Sequence, residues 1–346
     1  MASPSVLVRT TMVPSPDLLA DVLPTERLTV SGMPVPEVRR ELRRIDNLRN
    51  VGSVVLCWAQ AAVTIGLCIW IGHPLAYLAG IVLMGPVFAR FLILGHEAAH
   101  KLLFTNKRAN DFVGKWLLDA PGLVPFGIYR RSHFAHHKEE FGPTEPDIAF
   151  YRGYPMPASS LWRKLRRDAL FSSGWKNLTP LFRALKSATG RRLAMPIYVT
   201  QAVIFAVFWA IGHPWLYLVL WIVPWMTSWR VINRLRAIAE HGGMEASKDR
   251  RKTTHHVRQS RLASFWVVPF NTGWHLAHHV DMGVPWRNLP ALHRELVDAG
   301  WVVPELEYPN YRALWKALAS GAEVDAGIAG KRATARGEGT AGSHPD

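Results

Sequence analysis

Long uncharged apolar runs alternate with strongly polar segments along this chain. Residues 51–72 carry no charge, and Gln60 is their one strongly polar side chain. Residues 75–95 are apolar except for Arg90, and residues 193–211 are uncharged. Residues 215–229 are apolar again, and Val231 and Ile232 extend that run. A helix needs about 20 apolar residues to cross the hydrocarbon core, so the pattern predicts spans near 51–72, 75–95, 193–211 and 215–233. They form two hairpins. Ile71-Gly72-His73-Pro74 is echoed by Ile211-Gly212-His213-Pro214, and Gly with Pro favours a tight turn between helices. The expected fold class is all-α: a multi-pass membrane protein with four transmembrane helices in two hairpins, the polar remainder forming a helical cap.

Charge sets the expected orientation. The two turns lack Lys and Arg, whereas Arg39, Arg40, Arg43, Arg44 and Arg49 precede the first span and the loop between hairpins is basic. Both termini and the cap are therefore expected to be cytoplasmic, in a bacterial plasma membrane. The formal charge of +15 over 346 residues reads as a surface attracted to anionic lipid. No nucleic-acid-binding motif accompanies it, so nucleic acid is excluded as a partner. Trp162, Arg163, Lys164, Arg166, Arg167, Trp175 and Lys176 mix aromatic and basic side chains as interfacial helices do. Residues 1–36 are rich in Pro, Ser and Thr, and residues 319–346 in Gly, Ala and charge. Both are expected to be disordered tails, leaving 37–318 as the domain, with no cleavable signal peptide. Cys57 and Cys68 lie inside the first span and supply neither a disulfide framework nor a thiolate metal site.

Histidine carries the chemistry. The chain contains His96-Glu97-Ala98-Ala99-His100, His133-Phe134-Ala135-His136-His137 and His275-Leu276-Ala277-His278-His279. Spacings of three and four put imidazoles on one helix face, and imidazole suits iron, zinc, copper and nickel. His73 and His213 sit at the hairpin tips; at ~1.5 Å per residue, His73 is roughly 30 Å from His96 and serves the turn. Continuing the fourth span brings His241 to the same end as the clusters. The expected ligands are His96, His100, His133, His136, His137, His241, His275, His278 and His279. That number suits two metals with positions left for oxygen or water. Zinc rarely uses more than four protein ligands, so two irons (Fe2+/Fe3+) and dioxygen chemistry are expected, with no catalytic residue apart from the ligands. Glu97, Glu240 and Asp281 are expected to orient imidazole N–H groups, and Asn271 to add a hydrogen bond before the third cluster. His255 and His256 read as a solvated basic loop, and His293 and His344 as surface or tail residues.

The three clusters, in this order, resemble the histidine boxes of the integral-membrane fatty acid desaturase and hydroxylase superfamily, over roughly residues 45–315. Ala239-Glu240-His241-Gly242 resembles that family's extra histidine segment, and Pro285-Trp286-Arg287-Asn288-Leu289-Pro290 the stretch after its third box. The resemblance implies a di-iron site in a cytoplasmic cap. It also implies a tunnel for a long acyl chain, carried as lipid or thioester, and a desaturation using dioxygen and two electrons. Asp147 resembles an acidic position common there. Ala237 departs from relatives that carry asparagine one turn before the extra histidine. No His-Pro-Gly-Gly of a fused haem carrier occurs, so a separate ferredoxin or cytochrome with its reductase is expected to deliver electrons. Hydroxylation or ketolation of an acyl, alkane, sterol or carotenoid substrate is the alternative within the superfamily. Outside it stand a zinc protease built on His-Glu-x-x-His, which leaves both His-x-x-His-His clusters unexplained, and a membrane metal transporter, whose ligands usually lie near the bilayer midplane, where this chain has almost none.

Overall fold

The structure, a computed structural model, describes residues 10–21 and 24–321. Helix α1 (Asn47–Ile71) begins where the Asp46 carboxylate accepts the Arg49 N–H at 3.0 Å, several residues ahead of the apolar run. It ends at Gly72, whose φ of 64° closes the helix in the left-handed conformation that costs glycine least. His73 Nδ1 then accepts the Leu75 N–H at 3.2 Å, and Pro74 opens α2 (Pro74–Ala99). At this first tip Gly-His-Pro is thus a stop, a cap and a start.

Helix α2 runs past the apolar stretch and carries the first histidine box on its last turns. Phe88 and Phe91 from α2 meet Trp58 of α1 and Trp221, with Trp58–Phe91 and Phe88–Trp221 centroids 5.1 and 5.4 Å apart. Beside the box, residues Gly114–Asp119 form a π-turn. They pass so close that a Cβ on Gly95 would lie 1.8 Å from Asp119 Oδ1. Glycine is required at that contact.

Next come α3 (Phe126–Glu139), with the second box, and α4 (Ala158–Ala169) and α5 (Ser172–Ala184), which expose Trp162 and Trp175. The second hairpin is α6 (Ala188–Ala210) and α7 (Trp215–His241), and these four long helices, α1, α2, α6 and α7, are apolar enough to cross a membrane. Trp70 on α1 is 82% exposed and Trp209 on α6 69%, the outward apolar faces a bilayer covers. Helix α7 is not the regular continuation the sequence predicted. It contains a π-turn at Leu218–Ile222 and breaks at Thr227 (φ −124°, ψ −88°) before resuming to His241. Pro224 has no N–H for the preceding turn. The break is held by Thr227 Oγ1 donating to the Val223 carbonyl and Ser228 Oγ to that of Ile81, both at 2.7 Å.

Beyond α7 the chain forms a short strand β1 (His256–Val257), the third-box helix α8 (His275–Val280) and α9 (Leu289–Asp298). A second strand, β2 (Glu307–Tyr308), pairs in parallel with β1, His256 opposite Glu307. Cys57 and Cys68 are free and buried.

The expectation of a disordered tail through residue 36 is corrected. Leu28 is 1% exposed in the main core, Arg27 pairs with Glu295 at 2.8 Å, and the Met12 N–H reaches the Gly243 carbonyl at 3.1 Å. A polar composition hid isolated apolar anchors. The remaining tail expectations, for residues 1–9 and 322–346 with His344, lie outside the described residues.

Candidate metal centre

Four chain segments deliver nine imidazoles to one end of the bundle. The end of α2 brings His96 and His100, α3 brings His133, His136 and His137, α7 ends on His241, and α8 brings His275, His278 and His279. Donor atoms of His96, His100, His133, His137 and His278 converge within 4.8 Å of one another, and those of His136, His241 and His279 do the same. In the first group Nε2–Nε2 separations are 3.2 Å for His96–His278, 2.8 Å for His100–His133, 3.0 Å for His133–His137 and 3.1 Å for His137–His278. His275 joins the second, its Nε2 2.9 Å from that of His241 and 3.0 Å from that of His279. The groups adjoin, with His137 and His279 ring centroids 4.5 Å apart.

The boxes divide between the groups in opposite senses. On α3 the i, i+4 pair His133 and His137 serves the five-membered group while His136 crosses to the other. On α8 the i, i+4 pair His275 and His279 serves the smaller group while His278 crosses back.

Facing imidazole lone pairs repel unless a proton or a cation lies between them. Burial holds His133, His137, His275, His278 and His279 well below the usual imidazole pKa, neighbouring histidines adding to the effect, and brings His100 down to about 4. These rings are therefore neutral at physiological pH, the form that binds metal. Two adjacent clusters of nitrogen donors, these rings held neutral by burial, fit two metal ions.

Two of the outward-facing nitrogens, on His136 and His241, are held as ligating imidazoles need. His136 Nδ1 lies 2.7 Å from Glu145 Oε1, and Glu145 accepts the N–H groups of Phe141 and Asp147 at 3.0 and 3.2 Å. Burial alone would lower the His136 pKa, but the Glu145 hydrogen bond and charge reverse the direction and raise it, making this ring a stronger donor. His241 Nδ1 donates to the Thr253 carbonyl at 2.9 Å, whereas Glu140 Oε1 stands 3.0 Å from His279 Nδ1 without aligning as an acceptor.

Several residues expected to support the ligands stand elsewhere or at longer range. Glu240 is 3.6 Å from His275 Nδ1 and pairs with Arg236 at 2.6 Å. Glu97 lies 3.9 Å from His96 Nδ1, its Oε2 accepting the Trp286 N–H at 3.3 Å. Asp147 groups with His136 and Glu145. Asn271 donates to the Trp286 carbonyl at 3.2 Å, and Asp281 sits between Arg39 and Arg43. Sequence reasoning missed Glu140, Glu145 and Thr253. A signal existed for the carboxylates, three and eight residues beyond His137. His255, His256 and His293, expected in solvent, are 4%, 5% and 7% exposed. The run around His255 and His256 is basic in sequence, and contacts made only in the folded chain, such as the Gly242 carbonyl on His255 and Trp274 on His293, enclose them.

A cavity of about 330 Å³ opens on both groups through His96, His133, His136, His241, His275 and His278. Leu92, Ile93, Leu181, Trp225 and Trp229 supply apolar wall, and Asn177, Arg230, Asn233 and Arg236 a polar side, with Ala237 between.

These spans and imidazole groups define a multi-pass membrane protein with histidine clusters fit to hold metal. The chain belongs to the fatty acid desaturase family, whose model matches residues 53–315, and it is accordingly an oxidoreductase. It is 24% identical over 288 residues to an sn-1 oleoyl-lipid 12-desaturase of Arthrospira platensis, covering 75% of this chain and 77% of the relative. It is 25% identical over 271 residues to the dihydrorhizobitoxine desaturase of Bradyrhizobium elkanii, covering 72% and 76%. A beta-carotene ketolase of Paracoccus sp. is 24% identical over 249 residues, covering 69% and 89%.

Proposed function

We propose that this protein is a di-iron desaturase that introduces a double bond into a long acyl chain, using dioxygen and two electrons from a separate donor protein. One observation carries the reading: two adjacent groups of buried imidazoles open on a single cavity with apolar walls. His96, His100, His133, His137 and His278 hold one iron, and His136, His241, His275 and His279 the other. Iron bound there supplies the oxygen chemistry that an unactivated C–H bond requires. The chain's own residues do the rest. Glu145 and the Thr253 carbonyl fix ring orientations, while Leu92, Ile93, Leu181, Trp225 and Trp229 exclude water and hold a methylene pair against the ligands. Asn177, Asn233 and the two arginines suit the carbonyl of an ester or thioester. Residues 37–318 form the catalytic unit, to which the packed segment 24–36 adds.

The site faces the cytoplasm of a bacterial cell in this reading. Exposed Lys101, Lys107, Arg108, Arg131 and Lys138 lie on the segments that carry and link the first two boxes, and they suit an acidic ferredoxin or cytochrome fed by its reductase. Reduction by the true donor should slow as ionic strength rises. A rate indifferent to salt removes this part of the proposal.

The similarity to a ketolase favours one second reading, oxygen insertion on the same scaffold. Mass spectrometry of total lipids from a host expressing the chain with reductase and ferredoxin separates the two, with His278→Ala as control. Acyl species lighter by two hydrogens and absent from the control are expected. Products carrying added oxygen, acyl or carotenoid, establish the second reading.

A further inference from the structure

Apart from the nine clustered imidazoles, three groups from separate elements meet in the packed region around β1. His256 lies on β1, Glu307 on β2 and His293 on α9, and their donor atoms fall within 4.8 Å of one another. The parallel pairing sets His256 directly opposite Glu307, and partners in such a ladder project side by side. His293 stacks on His256 with centroids 4.5 Å apart, and Trp274 packs against His293 at 4.3 Å and lies 6.2 Å from His256.

The polar accounting at this spot is incomplete. His256 Nε2 and His293 Nδ1 are buried and, among the described residues, make no hydrogen bond. Glu307 Oε2 lies 3.3 Å from His256 Nε2 without aligning as an acceptor. Its other oxygen accepts from Arg258 Nε at 2.8 Å, which orients the carboxylate and, among the described residues, leaves Oε2 toward His256. Orphaned buried nitrogens are rare and call for an explanation such as an ion. Burial brings both imidazoles down to about 4, so each has a lone pair to give at neutral pH.

We infer that His256, His293 and Glu307 form a third metal site, one that takes a zinc ion and ties β1, β2 and α9 together. Two imidazoles and a carboxylate are an established zinc donor set that leaves a fourth position for water. An adjoining cavity of about 290 Å³, lined by His255, His256 and Glu307 among others, has room for that water. The site shares no residue with the nine-histidine centre and stands whether or not the proposed desaturation is correct. Its consequence is mechanical. The residue before His256 donates its N–H to the Glu240 carbonyl at 3.0 Å, and His255 Nε2 meets the Gly242 carbonyl at 2.7 Å. A clamp at β1 therefore braces the backbone on both sides of His241.

The test uses full-length iron-loaded protein in detergent, incubated with Zn2+ and passed through a desalting column. One zinc per chain should remain with iron content undiminished, and zinc-edge absorption should report two imidazoles, a carboxylate and no sulfur. His293→Gln and Glu307→Gln should each weaken zinc binding by at least ~10-fold, since each removes one of three protein ligands, and should leave iron unchanged. No retained zinc, zinc gained only as iron is lost, or zinc kept by the His256→Gln/His293→Gln double variant each overturns the site. Should the variants fail to fold, the wild-type spectrum decides: fewer than two imidazole ligands overturns the site, and the full donor set supports it.

Discussion

Glu145 shows how much one side chain contributes to an imidazole centre. Its carboxylate receives His136 Nδ1 at 2.7 Å and is itself fixed by two backbone N–H groups. Glu145→Gln keeps the shape and removes the charge. Loss of an outer partner costs 10–100-fold in metal affinity, so roughly that weakening is expected at the group containing His136. Metal content per chain after dialysis should fall while the five-histidine group stays loaded; unchanged content would show that Glu145 only fills space. Gly95 makes a different prediction. Its Cβ would overlap Asp119 Oδ1, and overpacking of this kind costs about 1–3 kcal/mol. Gly95→Ala should lower the melting temperature in detergent, and adding Asp119→Ala should restore much of the loss.

At the scale of elements, the site depends on how short helices are anchored to long ones. Helix α8 carries three ligands on six residues, too short to hold itself in water. It is pinned just past its end. Asp281, 1% exposed in its side chain, pairs with Arg39 and Arg43 of the segment before α1. Farther on, Arg287 reaches Asn50 Oδ1 at 3.0 Å and Ser53 Oγ at 2.7 Å on α1. Burial would raise the Asp281 pKa, but hydrogen bonds from Arg43, the Gly283 N–H and Arg39 outweigh it and the net direction is down. Breaking a buried ion pair costs 3–5 kcal/mol; both arginines are about a third or more exposed, so about 1–3 kcal/mol is expected here. Asp281→Asn should loosen the segment before α1, seen as faster proteolysis within residues 24–44 and a lower melting temperature. Proteolysis at the wild-type rate would deny the anchoring role.

For the whole molecule the question is which side of the membrane holds the metal centre. The tips carry His73 and His213, and all nine clustered imidazoles lie at the opposite end of the spans. In a Cys57→Ser/Cys68→Ser background, a cysteine at position 73 should react with an impermeant maleimide added outside intact cells. A cysteine at position 138 should react only after lysis. The reverse pattern would place the site outside and remove a cytoplasmic electron donor from the proposal.

Much of this arrangement is written locally. Apolar run length marked four helices because the bilayer demands it, and Gly-His-Pro marked the tips because the chain must turn there. Spacings of three and four marked the imidazoles because a helix brings such positions to one face. Composition misled at residues 24–36, where single anchors such as Leu28 do what a periodic pattern does elsewhere. Other features were settled by packing between distant segments. Tertiary packing alone sent His136 to one group and His133 with His137 to the other, because helix periodicity says which residues share a face but not what the face meets. It set Glu140 and Glu145 against the rings, broke α7 at Thr227, and buried His256 and His293 beside Glu307. Each of these depends on a partner dozens of residues away or on a turn whose geometry local sequence leaves open, so the contact exists only once the chain has folded.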